Sequence, residues 1–382
     1  MKKILYIGGF ELPDKNAAAQ RVISNGKALR ELGHEVVFIG LTKSAPESFQ
    51  YQDFDCRELA YPESKKKWIS FLFSIKKEAE LIKSFNPDIL VFYNYPSFKL
   101  WWLKNRFRNK TIFGDITEWY ESSGLSLTSI VKRIDVWLRM RMILPKIDGL
   151  IVISEYLEDF YRRKVKNVIN IPPLVDIYEN KWAIIQNSTS ENRYNLVYAG
   201  SPGGGNKDRL DLIVSSVRKA RLESGKDIHL DVIGLNKKEF LENFGTNLET
   251  KIEDEYIHFH GRVSHMEALE FVKKADFSIF LRNNNLTNTA GFPTKFVESI
   301  SCGTPVITNP SSNLSSYFKK YPDLGVLIDS LTEDSINLGI MVAISQSKEQ
   351  IRLKKQFCLN CRLFDYRNYL VYFNELLKKE NK

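Results

Sequence analysis

The chain has little cysteine and no long apolar run, and both absences limit the classes of protein to which it can belong. Its 382 residues include four cysteines, of which Cys358 and Cys361 form a C-x-x-C pair. No second Cys or His pair follows nearby, so we expect two ordinary residues one helical turn apart, not a zinc or redox site. No apolar stretch approaches the length that spans a bilayer, and the N-terminus lacks a complete signal-peptide pattern. We therefore expect a cytoplasmic protein without a metal centre.

The loop after the first apolar run lacks the glycine pattern of a dinucleotide-binding turn. Residues 8–13 are Gly-Gly-Phe-Glu-Leu-Pro and do not match G-x-G-x-x-G, the pattern that seats a pyrophosphate in NAD-dependent enzymes. Its absence argues against a dehydrogenase, which an alternating α/β chain would otherwise favour. Nucleic acid is also not an expected partner, because no recognisable binding motif accompanies the net charge of +9.

Short apolar, β-rich runs alternate with longer helical patterns in two series. Most runs are continuously apolar, as strands covered on both faces of a parallel sheet are. The first series comprises Lys3–Gly8, Glu35–Leu41, Asp88–Tyr93, Lys110–Asp115, Gly149–Ser154 and Asn167–Pro172. The second comprises Asn195–Gly200, Ile228–Gly234, Ile257–Arg262, Asp276–Leu281, Pro305–Asn309 and Leu324–Ile328. We predict the α/β class, with two Rossmann-like domains whose parallel sheets face an interdomain cleft.

The predicted domain boundaries follow changes in composition. A polar stretch at residues 186–190 separates the two series and predicts a linker over residues 179–193. The N-terminal domain then spans residues 1–178 and the C-terminal domain spans residues 194–360. Residues 361–382 hold a helical pattern rich in Tyr, Phe and Leu, which we expect to pack back on the N-terminal domain.

Basic residues and tryptophans are concentrated between Lys99 and Lys146. Ten Lys or Arg stand there against four Asp or Glu, interleaved with Trp101, Trp102 and Trp137. Trp beside Lys and Arg on amphipathic helices is typical of proteins that contact the headgroup layer of an anionic membrane. The alternative is a basic face that is only solvated, which would have the same composition. Both interpretations stay open, and the first predicts peripheral contact with the inner-membrane surface.

The most specific segment lies in the second series. A predicted strand ending at Leu281 is followed by Arg282, a polar loop, and a helix that starts near Pro293 and ends at Gly303. A loop entering a helix N-terminus presents free N–H groups and a positive dipole, which suit a diphosphate. Glu298 lies about one turn inside this helix, where a carboxylate can accept both hydroxyls of a ribose.

On these residues the chain resembles the retaining glycosyltransferases of family 4, which have the two-domain GT-B fold. Their motif is a Glu, seven residues, a second Glu, then small residues, Gly and Pro before a strand. Glu298, Gly303 and Pro305 match its second half. Further matches, in the family's order, are Gly33–Val36, Ile151–Ser154, Ile171–Asp176, Tyr198–Pro202 with Lys207, and His258–Val263. The last resembles the strand whose end contacts the nucleotide base in the family. The resemblance covers nearly the whole chain.

The resemblance implies a donor site in the C-terminal domain. It implies that Lys207 and Arg282 stabilise the leaving diphosphate and that Glu298 binds the ribose. The implied donor-binding residues are Gly8, Gly9, Gly200, Ser201, Lys207, Arg262, Val263, Phe292, Pro293, Thr294, Lys295 and Glu298. For Lys207, Arg282 and Lys295 the alternative interpretation is an ordinary surface charge.

Two residues depart from the family's pattern. Counting back from Glu298, the first Glu of the motif falls at Ala290, so the carboxylate that usually contacts the donor sugar is missing. The Arg that many members carry six residues before the loop Lys falls at Ser201. Lys207 remains, and Arg282 would supply a second positive charge. A Pro-x-Lys before the Glu is similar to a polysaccharide-building subset of the family.

The N-terminal domain offers candidates for the acceptor. Asp115 ends a predicted strand and Glu118 lies shortly after it. Both would position the acceptor hydroxyl, although Asp115 also suits a turn cap. Arg21, near the start of the first helix, would reach an anionic acceptor group. The predicted catalytic set is Asp115, Glu118, Lys207 and Arg282.

We therefore predict a retaining, metal-independent glycosyltransferase that needs no cofactor. It would move a sugar, such as a hexose, from a nucleoside-diphosphate sugar to a hydroxyl of a lipid-linked glycan, in capsule, exopolysaccharide or other surface polysaccharide assembly. Two alternatives stay open. One is a non-catalytic GT-B-like subunit, which Ala290 and Ser201 favour. The other is a nucleotide-sugar epimerase, which would need more His and carboxylates than this chain offers.

Overall fold

Two α/β units make up the fold in a computed structural model of the chain. The structure describes residues 1–13, 15–120, 124, 126–183, 192–201, 207–245 and 255–378. Pro202 and most of the predicted linker lie outside these residues. One unit comprises Met1–Val175, Thr289–Phe292 and Asp365–Lys382, and the other comprises Asp176–Asn288 and Pro293–Phe364. The sequence placed Thr289–Phe292 in the second domain, whereas their contacts group them with the first unit.

The first unit is built on an eight-stranded sheet. Its order is β3-β4-β2-β1-β5-β6-β7-β8, and all neighbours are parallel except the β3–β4 hairpin. The strands are β1 (Lys3–Gly8), β2 (Glu35–Thr42), β3 (Ser48–Tyr51), β4 (Phe54–Ala60), β5 (Ile89–Tyr93), β6 (Thr111–Ile116), β7 (Gly149–Val152) and β8 (Val168–Asn170). Strands β1, β2 and β5 are almost entirely buried, as their continuous apolar sequences predict.

In the part of the chain that the structure describes, six α-helices are interspersed with these strands. They are α1 (Ala17–Glu31), α2 (Lys65–Phe73), α3 (Lys76–Phe85), α4 (Ser97–Arg106), α5 (Leu127–Leu138) and α6 (Glu155–Tyr161). Helix α1 starts after Asn16, whose side chain accepts a hydrogen bond from the Ala19 N–H at 2.8 Å, as an N-cap does. Helix α5 continues through a π-helical turn, Arg139–Ile143, into a short 3-10 turn.

The second unit is built on a six-stranded, wholly parallel sheet. Its order is β11-β10-β9-β12-β13-β14. The strands are β9 (Arg193–Ala199), β10 (Asp227–Ile233), β11 (Ile257–Gly261), β12 (Phe277–Ile279), β13 (Val306–Thr308) and β14 (Gly325–Leu327). The helices are α7 (Leu210–Ser224), α8 (Lys237–Phe244), α9 (His265–Lys274), α10 (Leu286–Ala290), α11 (Thr294–Ser301), α12 (Leu314–Lys320), α13 (Glu333–Ser345) and α14 (Lys348–Asn360).

The end of the chain belongs to the first unit. Helix α15 (Leu370–Lys378) follows a 3-10 turn and contacts α1 and β8. Phe373, Leu376 and Leu377 are buried in the same apolar cluster as Val22 of α1 and Ile169 of β8. The periodic Tyr, Phe and Leu residues of the tail thus supply one side of the first unit's core.

The predicted α/β class is confirmed, and each predicted strand is present with its ends shifted by at most a few residues. The hairpin of β3 and β4 was not predicted. Its strands lie at the sheet edge and are largely polar, so they lack the continuous apolar run of a central strand. Gln52 and Asp53 connect them with positive φ angles of 47° and 63°, as a tight hairpin turn requires. Among the described residues, no helix combines the length and apolar character that a membrane span needs.

Candidate active site

Three neighbouring strands of the second unit end in glycines whose backbone is left-handed. Gly200 follows β9, Gly234 follows β10 and Gly261 ends β11, with φ angles of +120°, +111° and +71°. A Cβ atom on Gly234 would lie 2.6 Å from the carbonyl oxygen of Gly200, so these strand ends can approach only without a side chain. The carboxyl ends of parallel strands are where such folds bind ligands. The predicted residue Gly200 lies at this edge.

A carboxylate that sequence reasoning missed organises the edge. Asp208 is 1% exposed and contacts three polar side chains. Its Oδ2 lies 2.8 Å from Lys295 Nζ and accepts a hydrogen bond from the Tyr198 hydroxyl at 2.9 Å. Its Oδ1 accepts a hydrogen bond from Arg282 Nε at 3.2 Å. The available signal was its place directly after Lys207, the predicted phosphate ligand.

Two opposing effects act on the pKa of Asp208. Burial favours the neutral acid and by itself would raise the pKa. The positive charges of Lys295 and Arg282 outweigh burial and hold the pKa below its ordinary value. The carboxylate is therefore ionised at neutral pH, and the cluster of Asp208, Arg282 and Lys295 has one positive charge in excess. We call these three residues the cationic cluster.

Main-chain contacts fix the position of Arg282. Asp208 and Arg282 form an antiparallel bridge, and the Arg209 N–H donates to the Leu281 carbonyl at 2.8 Å. Asn309, directly after β13, accepts from the Arg282 N–H at 2.8 Å and donates from Nδ2 to the Arg282 carbonyl at 2.9 Å. The guanidinium therefore extends from a backbone that two neighbouring segments hold in place.

Lys295 lies against the loop that follows β9. Its Nζ donates a hydrogen bond to the Ser201 carbonyl at 3.1 Å, and its side chain is only 12% exposed. A Cβ atom on Gly200 would lie 2.9 Å from Lys295 Cε, so the lysine stem passes directly over that glycine. The interpretation of Lys295 as a surface charge is wrong. The structure brings the predicted residues Gly200, Ser201 and Lys295 together.

Lys207 lies on the loop that leads from β9 to Asp208. It is half-buried and directly precedes Asp208 of the cationic cluster. Its carbonyl accepts a hydrogen bond from Asn288 Nδ2 at 3.5 Å. Asn288 Nδ2 also donates to the Asn283 carbonyl at 2.8 Å, which ties the segment after Arg282 to the Lys207 loop.

Helix α11 begins at this edge, as the sequence predicts. Its first residue is Thr294, and Pro293 occupies the N-cap position. Within the described part of the chain, no side chain caps this N-terminus by a hydrogen bond, so its first turn keeps the N–H groups and dipole that favour an anion. Phe292 is buried and groups with the first unit. Ala290, where the family's first Glu would stand, is fully buried, and a glutamate there would displace packed atoms.

Glu298 pairs with a histidine that sequence reasoning did not select. His265 is the first residue of α9, and its Nε2 lies 3.4 Å from Glu298 Oε1. The Glu298 side chain is 23% exposed, so its carboxylate is held on one side and accessible on another. The signal for His265 was its position at a helix start shortly after the predicted base-contact strand.

The predicted base-contact residues lie at the end of β11. Arg262 and Val263 directly follow Gly261. The Arg262 side chain is 85% exposed, and its Nη2 lies 4.0 Å from Glu239 Oε1 on α8. An exposed guanidinium beside a strand end is free to stack on a planar ring. Contact with the base stays a prediction for both residues.

In the first unit, the structure corrects the roles predicted for Arg21 and Asp115. Asp115 is 0% exposed and Arg21 is 3% exposed. Arg21 Nη2 donates to Asp115 Oδ1 at 2.8 Å, and Arg21 Nη1 donates to the Ile171 and Pro172 carbonyls. The Tyr6 hydroxyl and Asn25 Nδ2 also donate to the carboxylate. An acceptor could reach neither side chain without breaking this core ion pair.

The other candidates of the first unit differ in exposure: Gly8 is buried, Glu118 is half-buried and Gly9 is exposed. Gly8 ends β1, and a Cβ atom there would lie 2.6 Å from Tyr93 Cβ, so the glycine is required by strand packing. Gly9 is exposed and faces open space, which leaves its backbone accessible. Glu118 is half-buried and hydrogen-bonds with Tyr120. The roles of Gly9 and Glu118 stay predictions.

Two family models match consecutive parts of the chain. The model for glycosyl transferases group 1 matches residues 175–357, and the model for glycosyltransferase family 4 matches residues 18–178. Together they span residues 18–357, which include every strand of the two sheets except β1 and all residues of the cationic cluster. The chain is a GT-B glycosyltransferase. No curated protein sequence matches it.

Solved structures of this type share the fold of the chain at low sequence identity. Sucrose-phosphate synthase from Thermosynechococcus elongatus is 14% identical, with a TM-score of 0.69 and 99% of each chain covered. The catalytic domain of starch synthase IV from Arabidopsis thaliana, bound to ADP and acarbose, is 11% identical, with a TM-score of 0.67 and 99% of each chain covered. The pneumococcal O-GlcNAc transferase, in complex with UDP and GlcNAc, is 11% identical, with a TM-score of 0.62 and the same coverage. These structures confirm the predicted GT-B fold, and the two family models support the glycosyltransferase class.

Proposed function

We propose that this glycosyltransferase moves a sugar from a nucleoside-diphosphate sugar to a hydroxyl of a glycan acceptor, with retention of configuration. The acceptor would be lipid-linked, and the reaction would belong to surface polysaccharide assembly. The observation that carries the donor half of this proposal is the cationic cluster, in which Asp208 holds Lys295 and Arg282 at the strand ends beside α11. The complexes of two similar proteins with ADP and with UDP support the same donor class.

The cationic cluster suits a leaving diphosphate. Negative charge grows on the diphosphate as the glycosidic bond breaks, and fixed positive groups stabilise that charge without reorganising. Lys295 and Arg282 are preorganised by Asp208, and the N-terminus of α11 adds N–H groups and a dipole. Lys207 would extend the positive surface from the same loop. In this arrangement the chain's own residues neutralise the diphosphate, so the proposed reaction is metal-independent and needs no cofactor.

Glu298 would hold the ribose of the donor. One carboxylate oxygen lies near His265, which orients the side chain, and the partial exposure leaves room for ligand hydroxyls. A carboxylate can accept two hydroxyl protons at once, and each charge-assisted hydrogen bond is worth about 1.5–3 kcal/mol. Ribose recognition here would place the diphosphate toward the cationic cluster.

A panel of nucleoside-diphosphate sugars with different bases and sugars tests the proposal. Full-length protein should release nucleoside diphosphate from one donor, slowly with water and faster with a glycan acceptor. The anomeric configuration of the product, determined by NMR, should match that of the donor. Release from none of the donors, with or without acceptor mixtures, would contradict the catalytic proposal.

A second candidate function is a nucleotide-sugar-binding subunit without transferase activity. The specific observation is that Asp208 already neutralises part of the positive charge, while Ala290 leaves the site without the family's first glutamate. Donor binding with no release of nucleoside diphosphate would favour this candidate. A changed sugar stereochemistry without transfer would instead indicate the epimerase alternative.

The membrane part of the proposal rests on exposed apolar side chains of α4 and α5. Trp101 and Trp102 on α4, and Ile134 and Trp137 on α5, are exposed, and the two helices contact each other. Lys99 and Arg139 are buried, but exposed basic residues of the same segment include Lys132, Arg133 and Arg141. With them, this surface would seat in an anionic headgroup layer. In liposome co-sedimentation, anionic vesicles should pellet the protein more than neutral ones.

The tryptophans offer a matched comparison for the membrane assay. The double substitution Trp101→Ser with Trp102→Ser should reduce the amount of protein that pellets with the vesicles. The binding that remains should be strongly salt-sensitive, because only its electrostatic contribution is left. Leu222→Ser with Leu338→Ser serves as the control, since both leucines are exposed in the second unit. Equal, negligible pelleting with both vesicle types would mean that the basic face is only solvated.

A further inference from the structure

A cavity at the opposite end of α11 from the cationic cluster takes no part in the proposed transfer. Its volume is about 330 Å³, and every residue that lines it belongs to the second unit. Its walls come from the segment 177–183, from the last turn of α11 and from residues 358–363 at the end of α14. Helix α11 has eight residues, so its two ends are about 12 Å apart. The cavity is therefore distinct from the strand ends where the predicted donor residues lie.

The interior of this cavity is mostly apolar. Ile300, Leu359 and Leu363 line it together with Cys358, which is buried and carries a free thiol. Trp182 adds an indole ring and is 5% exposed. Sites for small molecules have this composition, and their volumes begin at roughly 300 Å³. The cavity therefore has the size and the lining of a site for a small ligand.

Trp182 carries a polar atom that the fold leaves unsatisfied. Within the described ranges of the chain, its Nε1 is buried and has no hydrogen-bond partner. Native structures rarely keep a buried N–H group without an acceptor, because its lost hydration is then not replaced. An oxygen atom of a bound molecule would supply the missing acceptor.

Four polar residues also line the cavity, and three of them are exposed. Tyr178, Asn360 and Arg362 are exposed, and Ser301 is half-buried. Arg362 Nη1 donates a hydrogen bond to the Tyr178 hydroxyl at 3.3 Å, and the guanidinium carbon lies 5.9 Å from the centre of the Tyr178 ring. Ser301 and Asn360 are the last residues of α11 and α14, where helix carbonyls have no partner inside the helix. The cavity thus combines hydrogen-bond donors and acceptors with aromatic surface.

The backbone of Arg362 is uncommon for an arginine. Its φ angle is +45°, and it directly follows Cys361, the C-cap of α14. Glycine or asparagine is usual at this position, because a bulkier side chain disfavours the left-handed conformation. An arginine here lowers the stability of the helix end, and its guanidinium is thereby fixed beside Tyr178.

These features favour a neutral ligand with many hydroxyl groups over an anion or a lipid. Among the described residues that line the cavity, Arg362 is the one ionised group, and it lies at the negative end of the α14 dipole. A phosphate group is usually held by several positive or N–H groups. A lipid chain would leave the amide, hydroxyl and guanidinium groups without partners. A sugar ring has an apolar face for Tyr178 and Trp182, and its hydroxyls both donate and accept.

We propose that this cavity is an accessory binding site for a neutral saccharide, namely one or two rings of the glycan that the enzyme extends. The choice of a glycan rests on the proposed transferase function, whereas the cavity itself lies outside the donor site. Trp182 Nε1 and Arg362 donate to oxygens of the saccharide, and Tyr178 packs on its ring. A glycan held here stays close to the enzyme between transfers, which raises its effective concentration for the next one.

Binding of neutral oligosaccharides without any donor tests the cavity. The probes are maltotriose, cellotriose, mannotriose and chitotriose, with inorganic phosphate as the anionic comparison. Trp182 is the one tryptophan in the sequence from residue 176 to residue 364. A fluorescence change that the native chain shows and Trp182→Phe lacks therefore reports on this cavity. We expect at least one trisaccharide to cause that change and phosphate to cause none.

Variants of the exposed residues connect binding to the cavity. Tyr178→Ala should weaken the trisaccharide about tenfold, because the ring that packs on the sugar is lost. Tyr372→Ala, also exposed but on α15 of the first unit, is the control and should bind like the native chain. Arg362→Gly should weaken binding to a similar extent while the melting temperature stays the same or rises, because glycine adopts the positive φ at less cost. Saturation-transfer NMR titrations give the dissociation constants.

Binding of nucleoside diphosphate is measured on every variant. It reports on the donor site, so failure of the proposed function and failure of this inference give different results. The inference is overturned if no trisaccharide binds, if phosphate displaces the trisaccharide, or if Tyr178→Ala and Arg362→Gly bind it like the native chain. Retained nucleotide binding with any of those outcomes would leave the donor proposal standing.

Discussion

Each unit contains a buried arginine–aspartate pair beside its sheet, and the two pairs differ in what surrounds them. In the first unit, Arg21 and Asp115 are enclosed by Tyr6 and by two backbone carbonyls. In the second, Asp208 and Arg282 lie on loops after strands. The first pair has its hydrogen bonds satisfied by the core, whereas the second is joined by a lysine that also contacts a glycine loop. Both pairs are buried, so exposure does not separate them. The second pair is the candidate for ligand contact because it adjoins strand-end loops and the start of α11.

The largest effect is expected from a substitution that breaks the ion pair in the first unit. Arg21→Met leaves Asp115 buried without its cation and should lower the free energy of unfolding by about 3–5 kcal/mol. Urea denaturation followed by circular dichroism measures this loss. Arg30→Met, on the same helix, is the control and should cost only about 1 kcal/mol, because Arg30 is half-buried and donates to one carbonyl. If Arg21→Met kept near-native stability but transferred sugar poorly, Arg21 would instead act as a ligand of the acceptor.

The corresponding change in the second unit should act on binding. Lys295→Met keeps the aliphatic stem over Gly200 but removes the ammonium group from Asp208. Nucleoside diphosphate should bind more weakly by about 1.5–3 kcal/mol, while the nucleoside without phosphates should bind equally well. Calorimetric titration with both ligands separates the two results. An equal loss for nucleoside and diphosphate would show that Lys295 only supports the structure.

A smaller effect on nucleotide binding is expected from substitution of Glu298. Glu298→Gln replaces one acceptor oxygen by an amide donor and should weaken nucleotide binding by about 1–3 kcal/mol. A nucleotide with 2′-deoxyribose should then lose less affinity on mutation than the ribonucleotide, if the carboxylate binds that hydroxyl. Glu270→Gln, exposed on α9, is the control. Unchanged ribonucleotide affinity in the Glu298 variant would show that this residue does not hold the ribose.

The smallest expected effect is on how the free energy of unfolding changes toward acid pH. The pKa of Asp208 is held below its ordinary value in the folded chain, so its ion pairs stabilise the fold above the unfolded pKa of about 3.9. That contribution is lost as pH falls through the lowered folded pKa. The difference in unfolding free energy between the native chain and Asp208→Asn should thus be largest near neutral pH and narrow below about pH 4. A difference that stays constant from neutral to acid pH would show that the ionised carboxylate contributes nothing.

Local sequence determined the elements that surround the candidate site. The strand Phe277–Ile279 and the helix Thr294–Ser301 were predictable because the apolar run, the proline and the following Gly303 act within a few residues. Helix α10, inside the predicted polar loop between them, was not predicted. The hairpin of β3 and β4 was not, since an edge strand buries too little to require an apolar pattern. Asp208 was missed for a different reason: its partners Arg282 and Lys295 are distant in sequence, and only the parallel order of β9 and β12 brings them to it.

The sequence by itself determined the α/β class, the two series of strands and the positions of Gly200, Lys295 and Glu298 at strand or helix ends. These features depend on periodicity and capping, which are local properties of the chain. Only the tertiary structure decided which charges pair and which strand ends they adjoin. Asp115 looked like a site residue because it ends a strand at a ligand-binding edge, and Arg21 because it lies near the start of the first helix. The two instead bury each other across 94 residues of sequence. Exposure and pairing depend on which segments meet in space, and one sequence without its fold does not specify that.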